Sequence, residues 1–112
     1  MGLRDRFGIR RLRGSFAATL DREATPTDVE QLVAFVQTRR GVEFFVEPET
    51  AATDTTTVAV ASDGEWIRRR VGSPAVIGRV ARRLGVPIYN AEVIGYPARM
   101  RAWSAAHPER HA

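Results

Sequence analysis

An Asp63–Gly64 pair stands between two runs with strand character, "TTTVAVAS" and "EWIRRRV". Aspartate followed by glycine accommodates the backbone angles of a tight reversal, so the two runs are predicted as antiparallel strands of one hairpin. A hairpin here commits the chain to a fold with a sheet at its centre. Alternation then assigns faces. Ile67, Arg69 and Val71 share one side of the return strand, and Trp66, Arg68 and Arg70 share the other. Burying Arg69 without a partner is costly, so Arg69 is expected at the sheet edge or beside a carboxylate, in a structural role.

The flanking segments carry helix punctuation. In "TPTDVEQLVAFVQTRRG", Thr27 with Glu30 fits a capping box, or Thr25 caps with Pro26 at the first position. Val29, Leu32, Val33 and Val36 form an apolar stripe with Phe35 beside it, and Gly41 is a left-handed stop. In "GSPAVIGRVARRLG", Ser73 caps, Pro74 takes the first position and Gly85 closes. Val76, Ile77, Val80, Ala81 and Leu84 make its apolar stripe, with Arg79, Arg82 and Arg83 opposite. "VEFFV" reads as a strand with Val42, Phe44 and Val46 on one face, and "VPIYNAEVIGYP" as a fourth strand ending near Gly95. A short helix is expected in "ARMRAWSAAH", with Met100 and Trp103 folding back.

The element order is α-β-β-β-α-β. It predicts an α+β domain: a four-stranded mixed sheet with two helices on one face and a flexible basic N-terminal arm. Right-handed crossover places the fourth strand parallel to the third, or beside the first. Residues 1–24 form the arm, 25–103 the single domain and 104–112 a C-terminal tail. At 112 residues, one small core is the expectation. No apolar run approaches the ~20 residues of a membrane span. No secretory signal is expected, and the cytoplasm is the default compartment.

Charge is segregated along the chain. All 17 basic residues are arginine. Residues 1–16 are net +4, residues 17–65 net −7 and residues 66–101 net +7. Such asymmetry suits a polyanionic partner, self-association or internal pairing. Trp66, Arg68 and Arg70 together form a candidate surface for nucleic acid or an acidic protein. Arg79, Arg82 and Arg83 would add phosphate contacts, and Tyr96, Arg99 and Arg101 in "IGYPARMR" have the composition of an interface hot spot. Against a dedicated nucleic-acid binder, residues 17–112 carry as many acids as arginines. The alternative is a self-associating domain, a homodimer in which acidic and basic halves of two copies meet.

The catalytic inventory is poor. With no cysteine or lysine, thiolate and Schiff-base chemistry are excluded, and no glycine-rich phosphate loop is present. His107 and His111 in "HPERH" have Pro108 where a zinc-protease helix needs glutamate. Glu43, Glu47 and Glu92 are read as exposed on strand faces. No cofactor, metal or catalytic residue is assigned.

Three resemblances follow. The α-β-β-β-α portion looks like a double-stranded-RNA-binding domain, although the start of the second helix carries no basic residue. The whole string resembles the core of PD-(D/E)xK nucleases. Asp54 stands in the Asp position, but the third strand offers arginines where that family needs an acid and a lysine. The wording "RRGVEFFVEPET", "DGEWIRRRVGSP" and "VIGYPARMRAW" is similar to a family of small actinobacterial proteins of unassigned function. The likeness runs over roughly residues 28–103. Some members carry an oxidoreductase label, for which no dinucleotide fingerprint appears here.

Overall fold

The computed structural model describes residues 26–51 and 53–111. The expectations for the basic arm and for a Thr25 cap lie outside the described residues. The first helix, α1 (Pro26–Thr38), precedes three strands, β1 (Glu43–Glu47), β2 (Thr55–Val60) and β3 (Trp66–Gly72). Helix α2 (Pro74–Leu84) then leads to β4 (Ile88–Asn90). Three further helices follow: α3 (Ala91–Ile94), α4 (Ala98–Ala106) and α5 (Pro108–His111).

The sheet is mixed and four-stranded, in the order β3-β2-β1-β4. β1, β2 and β3 form an antiparallel meander, and β4 pairs parallel to β1. The crossover through α2 therefore carries the chain past β2 and sets β4 beside the first strand. Local chemistry explains the helix ends. Ser73 Oγ accepts from the Val76 amide, Pro74 follows, and Gly85 takes the left-handed conformation (φ 69°) that L side chains resist. The hairpin turns as its Asp-Gly pair demands. Gly64 sits at φ 98°, and Asp63 Oδ1 accepts from the Glu65 amide.

α1 and α2 cover one sheet face. Val29, Leu32, Val33 and Phe35 of α1 and Val76, Ile77, Val80 and Ala81 of α2 meet Phe44, Val46, Ala59 and Val71. Phe35 is buried, whereas Val36 lies at the core margin, the reverse of their expected rank. The second face carries its own core. Phe45, Val58 and Val60 pack with Ala91 of α3 and Met100 of α4, and Trp66, Tyr89 and Tyr96 lean in from the sides.

The fourth strand is shorter than expected. Asn90 ends it because its side-chain Oδ1 accepts from the amides of Glu92 and Val93, at 2.8 and 3.3 Å, which starts α3. Glu92 is thus in a helical first turn and not on a strand. Among the described residues, no helix is long and apolar enough to cross a membrane.

Candidate functional site

The second sheet face alternates acids with core residues. On β1, Phe45 is buried between Glu43 and Glu47, and both glutamates are half-buried and engaged, not exposed as expected. Arg68 reaches from β3 across β2 and grips Glu47 with two hydrogen bonds, Nε to Oε1 at 2.9 Å and Nη2 to Oε2 at 3.0 Å. The hydroxyls of Thr56 and Tyr96 also donate to Glu47. Four donors fill the lone pairs of this carboxylate. Burial pushes the Glu47 carboxyl up, but the bonds from Arg68, Thr56 and Tyr96 and the Arg68 charge outweigh it and hold it below its ordinary range. The same geometry holds Arg68 above its ordinary value, chiefly through its bond to Glu47. Burial, then the Glu47 bond and charge, raise the Tyr96 phenol.

The other end of β1 is built in the same way. Arg99 of α4 bonds Glu43 at 2.7 Å through Nη2 and the Ala61 carbonyl at 2.9 Å through Nε. Tyr89 donates to Glu43 at 3.3 Å. Trp66 donates its indole N–H to Ser104 Oγ at 2.7 Å, and the Arg68 guanidinium lies over its ring at 5.3 Å. The tryptophan is therefore tied to α4 on one side and screened by a cation on the other. It does not present an open stacking platform.

Each sequence-predicted residue thus has a place. Arg68 and Arg99 are clasped by carboxylates of the same chain, and Tyr96 is bound to one of them. Arg70 lies 3.8 Å from Asp54, with both side chains largely exposed. Arg79, Arg82 and Arg83 make an exposed stripe along α2, with Arg82 and Arg83 at its negative C-terminal end. Arg101 is exposed on α4. His107 stacks on Trp103 at 4.0 Å and donates from Nδ1 to the Trp103 carbonyl. Among the described residues, no three His, Asp or Glu side chains converge as a metal site requires.

Among the described residues, Arg68 lines two clefts. The larger, about 510 Å³, opens outside the C-terminal ends of β1 and β4, between Glu47, Thr50, Thr53, Arg68, Glu92 and Tyr96. Glu47 forms part of its wall but is already saturated, so it has no lone pair left to act as a base. The second, about 340 Å³, is lined by Trp66, Ile67, Arg68, Arg69 and Arg110. Residues from both faces of β3 line it, and β3 is an outer strand, so this groove follows the sheet edge.

Arg69 takes one of the two placements expected for it. It is at the edge, and among the described residues its guanidinium bonds only neutral acceptors: Gln31 Oε1 of α1 and, at 2.7 Å, the Arg68 carbonyl. Its neighbours Arg68 and Arg70 have carboxylates, Glu47 and Asp54; Arg69 has none among the described residues. Arg110, which the sequence placed in the tail, arrives from α5. It touches Glu65 at 3.5 Å, a carboxylate already held by Arg39 through bonds of 2.7 and 3.1 Å. No spacing in the sequence signals Arg110, because α4 and α5 bring it back to β3. Compared with known proteins, the chain matches no family model, no curated protein and no solved structure.

Proposed function

We propose that the chain is a non-catalytic binding module for an acidic partner, seated in the groove along β3. The observation that carries this reading is the groove's lining: three guanidiniums, from Arg68, Arg69 and Arg110, and, among the described residues, no carboxylate. Arg69 faces the groove, and among the described residues no carboxylate contacts its guanidinium. A partner carboxylate or phosphate replaces neutral acceptors with an ionic one and adds charge–charge attraction to bonds whose donor is already charged. Trp66 and Ile67 supply the apolar floor. Nucleic acid, the leading expectation from composition, remains within this reading as a phosphate-bearing partner. Arg82 and Arg83, exposed on α2, supply further positive surface on the same domain. The saturation of Glu47 favours binding over catalysis.

The test is titration of the chain with an acidic peptide, single-stranded RNA and duplex DNA at low and moderate salt. Affinity that falls as salt rises, and that drops about tenfold in Arg69→Gln or Arg110→Gln, is expected. Absence of binding at low salt, or binding indifferent to salt, overturns the reading.

A second reading, self-association, is favoured by Ile88, Val93 and Ile94, which are exposed together around β4 and α3. β4 is the other outer strand, so an antiparallel β4–β4 contact between two copies would cover them. Analytical ultracentrifugation across a concentration series decides it: a monomer throughout removes this reading.

A further inference from the structure

Among the described residues β3 is an outer strand, so the groove is bounded by a strand edge, and this narrows the partner. The hairpin closes with the Ala61 amide donating to the Glu65 carbonyl, and the register pairs Ala59 with Ile67 and Thr57 with Arg69. Antiparallel pairing alternates peptide groups inward and outward. The peptide groups of Ile67 and Arg69 therefore point to β2, and those of Trp66, Arg68 and Arg70 point away from the sheet. Arg69 Nη1 bonds the Arg68 carbonyl on that outer side. A guanidinium thus caps one of the carbonyls that a new strand would use, a device that keeps an edge from pairing indiscriminately. Among the described residues both sheet faces are covered, one by α1 and α2 and the other by α3 and α4, so neither face of the sheet is an open aromatic platform for bases.

We infer that the partner is an extended acidic peptide that adds a strand to the β3 edge and draws Arg69 off the Arg68 carbonyl onto its own carboxylate. Backbone bonds to Arg68 and Arg70 supply affinity, and acidic side chains of the partner supply selection by Arg69 and Arg110. The exchange is self-consistent. A neutral or basic strand leaves Arg69 on the carbonyl and the edge closed. An acidic one offers the guanidinium a better acceptor and frees the carbonyl in the same step. This inference rests on the acidic-partner reading above and adds to it the backbone requirement.

The experiment is an anisotropy titration with a labelled peptide of alternating glutamate and valine. It is compared with the same peptide N-methylated at every second amide, in both phases of the alternation, and with single-stranded RNA of similar charge. Expected are salt-sensitive binding of the parent peptide, loss of about tenfold or more on N-methylation in one phase, weaker binding of RNA, and about tenfold loss in Arg69→Gln. Equal binding of parent and both N-methylated peptides overturns strand addition while leaving the acidic-partner reading intact. RNA bound more tightly than the peptide also overturns the inference and points to nucleic acid. No binding of any polyanion overturns both. Circular dichroism of Arg69→Gln verifies its fold, and unchanged affinity in a folded variant removes the groove as the seat.

Discussion

Arg68 and Glu47 face each other across the width of β2, joined by a two-pronged ion pair at 2.9 and 3.0 Å, though 21 positions separate them in the chain. Through Thr56 and Tyr96 the same carboxylate also holds the middle strand and the segment ahead of α4. Glu47→Gln keeps the shape and removes the charge. Both partners are partly solvated, which discounts the pair. Urea unfolding is expected to show a loss of about 1–2 kcal/mol, with a double-mutant cycle against Arg68→Gln giving a positive coupling energy.

Acid sensitivity follows from the same contacts. Bonds from Arg39, working against burial and aided by the Arg39 charge and by Arg110, hold Glu65 below its ordinary range, and Glu47 is held below it as well. A carboxyl depressed in the folded state binds its proton more readily when unfolded. Its stabilising contribution is complete above the unfolded value, about 4.3, and is lost as pH falls through the folded value. The thermal midpoint of the wild type is expected to fall below about pH 4.3. Glu47→Gln and Glu65→Gln should each show a shallower fall over that window, and parallel profiles would contradict the assignment.

Thr55 and Thr57 lie on the α1–α2 side of β2, and both hydroxyls are buried without a hydrogen-bond partner. An unsatisfied buried hydroxyl costs about 1–3 kcal/mol, and valine has nearly the same shape. Thr57→Val is therefore expected to stabilise by about 1 kcal/mol, which raises the melting temperature of a domain this size by roughly 4–8 °C. Differential scanning calorimetry reads the shift, and a lower midpoint would show that the hydroxyl is satisfied in solution.

Gly64 joins the hairpin to α4. A Cβ added there would lie 2.1 Å from the Arg99 carbonyl oxygen and 2.9 Å from Trp103 Cβ, at a backbone φ of 98°. Gly64→Ala is expected to cost about 2–4 kcal/mol, through strain and through displacement of α4 from the sheet. Because Trp66 is bonded to Ser104 of that helix, its fluorescence should change in the same variant under native conditions. A variant with wild-type stability and emission would place α4 elsewhere.

The two strongly periodic helices, the hairpin and the first strand were all legible in the chain, and each for a local reason. The capping Ser73, the closing Gly85 and the Asp63–Gly64 turn act within a few residues, and the apolar stripe of α2 is a property of its own spacing. The mixed sheet followed from element order. The end of β4 was not anticipated, although the side chain of Asn90 that terminates it was in plain view as a capping residue.

The charge pattern was legible only as a pattern. Composition along the chain separates acids from arginines, and alternation correctly put Trp66, Arg68 and Arg70 on one face. Which of them stays charged toward solvent is a different question, since it depends on strand order. With β2 between β1 and β3, Glu47 lies within reach of Arg68, while Arg69 on the opposite face meets, among the described residues, Gln31 and a carbonyl. The path of α4 and α5 then returns Arg110 to the same edge. Periodicity decides which way a side chain points because it is set by backbone geometry within a few residues. Partners are decided by register and strand order because a guanidinium is neutralised by whatever carboxylate the packed sheet brings within a few ångströms, however distant in sequence.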